Sequence, residues 1–367
     1  MTNPSTRRLA PLALALLAGL AACGSGTVTG STDTPADGSA AASTTDRTSG
    51  EVRVNGGQVT FAFGGDVHFE RELRTLLDDD PTSPLSTQRE VLSGADLAMV
   101  NLETAITDRG TAAAKQYTFR APAVAFTALA AAGVDVVTIA NNHGLDFGAV
   151  GRADTLAAAD AAGFPIVGIG NDAAQAYRPW RVEVNGQRIA VIGATQVLDD
   201  SSAAAWAATD TQGGVASAKL VPRLVEEVKR ARADSDTVVV YLHWGTERIS
   251  CPNPQQFELA AALQQAGADI IVGGHAHVLL GGGMLDNAFV DYGLGNYFFY
   301  ATTGDRADTG VVIVKATGRH IDGYEFKPAH ISGGQARSLT GAAAVTAVKS
   351  WSALRACTHL TPGPEAS

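Results

Sequence analysis

From residue 58 onward the chain alternates short β-branched apolar runs with segments of helical length, an alternation that restricts it to an α/β fold. The spacing predicts strands over 59–63, 97–100, 134–139, 166–169, 188–192, 237–242, 269–272, 288–292 and 311–315. The helices between them have readable ends. Asn253 followed by Pro254 places a cap before a proline at the first helical position, and Gly267 stops the segment 255–266. Gly133 and Gly163 stop 126–132 and 154–162 in the same way. From 288 to about 327 strand-like runs follow one another with fewer helices, which predicts a partly antiparallel sheet. No repeat of fixed period and no second linker interrupts this body. A single domain with two sheets flanked by helices accommodates it.

The segment ahead of the body has a different character. Arg7 and Arg8 precede an apolar run over 9–20, and Leu20-Ala21-Ala22-Cys23-Gly24 follows, an ending that resembles a lipobox. The run is shorter than the roughly 20 residues a spanning helix needs. The expectation is a lipoprotein signal peptide over 1–23, with Cys23 diacylated and the protein anchored by lipid at the extracytoplasmic face of the cell membrane. Residues 24–50 hold Ser, Thr, Gly, Ala and Asp with hardly a large apolar side chain, which predicts a disordered tether. A folded domain over 51–340 and a C-terminal tail over 341–367 complete the expected layout. Of the 3 cysteines, Cys251 and Cys357 remain once Cys23 carries lipid, and in an oxidising compartment that pair is expected to form a disulfide. The formal charge of −10, without any Lys/Arg stripe, excludes nucleic acid as the partner.

The chemistry lies in where the histidines fall. His68, His143, His243, His275 and His277 each come just past a predicted strand, beside other potential metal ligands. In open α/β sheets, ligands bind beyond the carboxyl ends of strands, where side chains from several strands converge. Asp66-x-His68 sets a carboxylate and an imidazole two residues apart, and Glu103 adds a carboxylate after the second strand. Asn142 offers a neutral amide oxygen, and the adjacent His143 can serve as a proton donor. Gly273-Gly274-His275-Ala276-His277 is the sharpest signal, because the glycines let the backbone turn tightly while two imidazoles project toward one place. Taken singly, each group has an ordinary explanation: a buried Asp–His pair, a capping glutamate, a polar turn. His320, His330 and His359 read as structural.

The ordered set Gly65-Asp66-x-His68, Asn101-x-Glu103, Asn142-His143, His243-Trp244-Gly245 and His275-x-His277 resembles the CapA family of poly-γ-glutamate capsule biosynthesis proteins, a branch of the calcineurin-like metallophosphatases. Phe119-Arg120-Ala121-Pro122, Asn142-His143 with Asp146 and Gly148 behind it, and Leu294-Gly295-Asn296-Tyr297-Phe298 extend the likeness over nearly the whole body. The resemblance implies a four-layer α-β-β-α metallophosphatase-like sandwich with two mixed sheets. It further implies that Asp66, His68 and His277 hold one metal, that Asn142, His243 and His275 hold a second, and that Glu103 bridges them. His143, with Asp146, would donate a proton to the leaving group, and Arg120 is the expected contact for an anionic group of the substrate. General phosphoesterases carry an aspartate where this chain has Glu103, a departure typical of the CapA branch.

A ligand set of carboxylate, amide and imidazole without thiolate suits two divalent transition metal ions, manganese, iron or zinc. Three functions follow as expectations. One is a metal-dependent hydrolase acting on a phosphoester or related bond in an anionic polymer at the cell envelope. Another is a non-catalytic accessory to synthesis and export of a polymer such as poly-γ-glutamate, working beside membrane-bound synthesis machinery. The third, a binding module with degenerate metal positions, is disfavoured because every expected ligand position is occupied.

Overall fold

The computed structural model describes residues 56–364, apart from residues 199 and 301. The expected signal peptide, lipidation at Cys23 and tether over 24–50 lie outside the described residues. No helix among the described residues is long and apolar enough to cross a membrane.

Two mixed sheets stack face to face. In the 8-stranded sheet, Val59–Val67, Leu97–Leu102, Val136–Thr138, Ile166–Val167 and Asn296–Phe298 run parallel, and Asp308–Thr317, His320–Ser332 and Gln335–Ser338 continue it antiparallel. The 6-stranded sheet has a parallel centre of Gln187–Thr195, Thr237–Trp244, Ile270–His275 and Ala288–Asp291, edged by antiparallel Trp180–Val184 and Gly282–Leu285. Every predicted strand is present, and the late run is partly antiparallel, as its crowding suggested: Ala288–Asp291 and Asn296–Phe298 pair in parallel, Asp308–Thr317 and His320–Ser332 antiparallel.

Strand alternation divides the apolar side chains into three cores. Phe61, Phe63, Met99, Val191, Val239, Tyr241 and Val272 meet between the sheets. Ala62, Ala98, Val100 and Val137 point the other way and pack on Leu73, Leu92, Phe126 and Leu129 of the helices covering the larger sheet. Ile192, Val240 and Ile271 receive Leu224, Val228, Leu259 and Leu263 from Val221–Asp234 and Pro254–Ala266. Each fully buried leucine or phenylalanine contributes about 1.5–3 kcal/mol relative to an exposed one. The result is the four-layer α-β-β-α sandwich.

Local chemistry explains the helix ends. Asn253 Oδ1 accepts from Gln256 N while the Gln256 side chain accepts from Asn253 N, and Gly267 closes the helix at φ 108°. The C-terminal helix Gly341–Leu354 buries only Trp351, which stacks on Phe326 with ring centres 4.9 Å apart. Cys251 and Cys357 form the expected disulfide, with Cα atoms 5.6 Å apart.

At the amino ends of the parallel strands one device recurs. An aspartate directly before a strand accepts the first free amide of the neighbouring strand: Asp96 from Thr60 at 2.8 Å, Asp135 from Ala98 at 2.7 Å, Asp236 from Arg188 at 2.9 Å, and Asp269 from Val238 at 2.8 Å. Each aspartate returns its own backbone N–H to the partner's carbonyl, at 2.7–2.9 Å. These reciprocal pairs satisfy donors that the ladder leaves over.

Candidate metal centre

At the opposite, carboxyl ends of the strands the polar side chains are gathered differently. A bulge in the pairing of Val59–Val67 with Leu97–Leu102 inserts an extra residue at Gly64-Gly65 and swings Asp66 to the sheet edge. Gly65 is required there, since a Cβ would lie 2.0 Å from Gly295 O. Gly274 makes room for the same carboxylate, because its Cβ would fall 2.2 Å from Asp66 Oδ1.

Asp66 is fully buried. Its Oδ1 accepts from Asn101 Nδ2 at 2.8 Å, and its Oδ2 accepts from His275 N at 2.9 Å and lies 3.4 Å from His277 Nδ1. Burial pushes its pKa up, but His277, His243 and the Asn101 amide outweigh burial and bring it down to about 2. His277 shows the mirror effect: burial lowers it, and the carboxylates of Glu103 and Asp66 raise it to about 9. His275 and His277 both adopt left-handed backbone, at φ 93° and 56°, a conformation that costs about 1–3 kcal/mol each.

Glu103 lies at the middle of the cluster. Its Oε1 is 3.4 Å from His243 Nε2 and 3.9 Å from His143 Nε2, and its ligand oxygen lies with nitrogens of His275 and His277 inside a group spanning no more than 4.8 Å. His243 Nε2 also meets Asn142 Oδ1 at 2.8 Å, and the His243 and His275 rings are 4.8 Å apart. His68 joins from the other flank, stacked on Phe119 at 4.6 Å and edge-on to Phe299 at 4.1 Å. Burial, then His143 and His277, push the His68 pKa well below its usual value, and burial followed by His243 and His277 does the same to His275.

His143 Nδ1 faces Asp146 Oδ2 at 2.6 Å, leaving Nε2 on the Glu103 side. Arg120 sits at the edge of the cluster. Strand alternation sends Phe119 inward, between His68 and His143, and its neighbour Arg120 outward, with the guanidinium 3.5 Å over the Phe147 ring.

Several residues organise the site without being expected ligands. Asn101 ties three strands together, reaching Asp66, His243 Nδ1 at 3.1 Å and, through Oδ1, Asn141 at 2.9 Å. Asn296 Oδ1 holds His277 Nδ1 at 2.9 Å. Lys115 Nζ lies 2.7 Å from Asp146 Oδ1 and donates to Asn142 O at 2.5 Å. Only Asn101 and Asn296 stand inside quotable motifs; Lys115 sits in a polar loop that gives no hint of its reach.

The donor set fits metal. His68 Nε2, His275 Nδ1 and both carboxylate oxygens of Glu103 are buried without a hydrogen-bond partner. Leaving a buried carboxylate undonated costs on the order of several kcal/mol, and cations held among these atoms would remove that cost.

The family model described as bacterial capsule synthesis protein PGA_cap matches residues 60–301. Capsule biosynthesis protein CapA of Bacillus anthracis is 35% identical over 212 residues, covering 54% of this chain and 50% of that protein. PGA biosynthesis protein CapA of Bacillus subtilis (strain 168) is 36% identical over 206 residues, 53% of each chain. A probable polyglutamine synthesis accessory protein of Mycobacterium tuberculosis is 31% identical over 192 residues, 50% of each. The chain therefore spans about half the length of the curated relatives it matches. Among solved structures, a hypothetical protein from Thermus thermophilus superposes with TM-score 0.48 at 18% identity, over 74% of this chain and 100% of that one. The sulfate thiohydrolase SoxB of the same organism gives TM-score 0.46 at 14% identity, over 82% and 60%. The sandwich assignment rests on sheet order and the three cores rather than on those superpositions. With the match running from the first strand to beyond His277, the chain belongs to the bacterial capsule synthesis protein PGA_cap family.

Proposed function

We propose that the chain is an envelope lipoprotein whose two-metal centre hydrolyses a phosphoester or related bond during synthesis or remodelling of an anionic polymer such as poly-γ-glutamate. The observation that carries this reading is Glu103: a buried carboxylate with both oxygens undonated, ringed by His143, His243, His275 and His277. Asp66, His68 and His277 would hold one cation, Asn142, His243 and His275 the other, with Glu103 between them. Two such cations, of manganese, iron or zinc, would lower the pKa of bound water and neutralise charge on attacking and leaving oxygens.

The chain's own groups supply the rest. Asp146 accepts the Nδ1–H of His143 and fixes the ring's orientation, so that a ring carrying protons on both nitrogens would present Nε2–H to the leaving group. Lys115 Nζ, 2.7 Å from Asp146 Oδ1, holds that carboxylate against the imidazole. Cys23 would hold the enzyme at the extracytoplasmic face, within reach of membrane-bound synthesis machinery.

The second reading, a metal-bearing accessory protein without catalysis, is favoured by Glu103 standing where general phosphoesterases use aspartate, and by the accessory role named for the mycobacterial relative. Metal quantification on the full chain, with phosphomonoester and phosphodiester assays beside His275→Ala, separates the two. Hydrolysis by the parent with about two metals per chain, falling more than ~100-fold in the variant, is the expected result. Metal without hydrolysis selects the accessory reading. A parent free of transition metal under replete conditions overturns both. Cys23→Ser is expected to release the protein from membranes, and retention there would defeat the anchor.

A further inference from the structure

Behind the His68 flank of the centre lies a hollow of about 510 Å³ lined by Phe69, Glu70, Arg71, Arg74, Arg120 and Phe147, among others. Two guanidinium groups at this hollow are fixed by aromatic faces. Arg120 lies 3.5 Å over Phe147, and Arg71 lies 4.5 Å over Tyr300. Stacking engages the flat face of a guanidinium and leaves its N–H edge available for a two-pronged contact. Among the described residues, Arg74 is paired with Asp78 at 2.8 Å, whereas neither Arg71 nor Arg120 is paired with a carboxylate. The one acid lining the hollow, Glu70, uses Oε1 to accept from the backbone N–H of Arg120 at 2.7 Å.

Arg71 reaches its place through a backbone conformation that side-chain-bearing residues rarely adopt, φ 56° and ψ −125°. Such outliers persist where the surroundings impose them and cluster at ligand clamps. The hollow is also wired to the centre: Glu70 N donates to His68 Nδ1 at 3.1 Å, and Phe119, next to Arg120, stacks on both His68 and His143. On a chain of net charge −10, two unpaired, pre-oriented forks in one hollow are an exception that invites a polyanion.

We infer that Arg71 and Arg120 form a carboxylate subsite that grips one unit of an acidic peptide chain while a neighbouring unit reaches the metal centre. The ligand class rests on the polymer reading above, but the subsite needs neither metal nor hydrolysis to bind.

Fluorescence anisotropy with labelled oligo-glutamate, α- and γ-linked, tests this on the full chain. Arg71→Gln and Arg120→Gln, which keep most of the side-chain length while removing charge, are each expected to weaken binding ~10-fold. Arg120→Lys is expected to recover only part of the loss, because an ammonium lacks the fork. His275→Ala is expected to keep the arginine dependence, so failure of the metal reading and failure of the subsite give different patterns. A double Arg71→Gln/Arg120→Gln variant that melts with the parent and binds oligo-glutamate equally well overturns the inference. So does inorganic phosphate displacing the peptide as effectively as glutamate chains do, which would reassign the forks to phosphate.

Discussion

The two ends of the parallel strands use the same kind of side chain for opposite purposes. At the amino ends, Asp96, Asp135, Asp236 and Asp269 each receive a backbone N–H from the adjoining strand, and Asp269 also meets the Arg232 and Arg319 guanidinium groups. At the carboxyl ends Asp66 still receives the His275 amide, but Glu103 is fully buried and receives none. Carboxylates whose partners are built into the chain hold the sheets together; a carboxylate left without one is reserved for something the chain must acquire.

The contrast breaks most visibly at Asp269. Removing it by Asp269→Ala strands the largely buried Arg232 and the Val238 amide, and is expected to cost about 3–5 kcal/mol in denaturant unfolding. Metal content should not change. A stable variant, or one that loses metal, would show that the two ends are not separable.

A smaller effect comes from Asp291, which belongs to neither class. It is fully buried, accepts from Gly293 N at 2.9 Å through Oδ1, and leaves Oδ2 without a hydrogen-bond partner. Burial, opposed by Gly293 and Trp351, raises its pKa from 3.8 to about 7. A raised carboxyl pKa means that the folded protein keeps a proton the unfolded chain has lost. This contribution to stability is therefore present below about 3.8 and is lost as pH rises through the window to about 7. Asp291→Asn is expected to flatten that slope and to stabilise the protein by about 2 kcal/mol near neutral pH. Melting temperatures of parent and variant that stay parallel across the window would rule this out.

The smallest effect sharpens the comparison itself. In chelator-treated protein, Glu103→Gln is expected to change stability by no more than about 1 kcal/mol, since the hydrogen bonds that the buried carboxylate lacks are offset by its attraction to His277. The same substitution in metal-replete protein should lower it. Destabilisation in both states would mean that Glu103 has structural partners like its counterparts at the other end.

Much of this was legible in the residues, for a physical reason. The ligands follow directly on β-branched runs, so strand recognition and site recognition were one act: His243 lies at the end of Thr237–Trp244, and His275 ends Ile270–His275. Helix ends were readable because caps act within four residues, as at Asn253 and Gly267. Trp180–Val184 escaped because its alternation is only partly buried, with residues intermediate or exposed throughout, as befits an edge. Lys115 and the aspartate clamps escaped, because their partners lie 27 to 48 residues away and hydrogen bonds of that range leave no periodic trace.

The clamps also act on the site from a distance. Successive side chains on a strand point to opposite faces, so a slip of one residue between Val59–Val67 and Leu97–Leu102 would turn Glu103 away from the histidines and drive an apolar neighbour into its place. By pinning Thr60 to Asp96 and Val238 to Asp269, the chain zeroes its ruler at the far end of each strand. Aim at the histidine-bearing edge is thus a matter of correct counting along the sheet, set before any ion arrives.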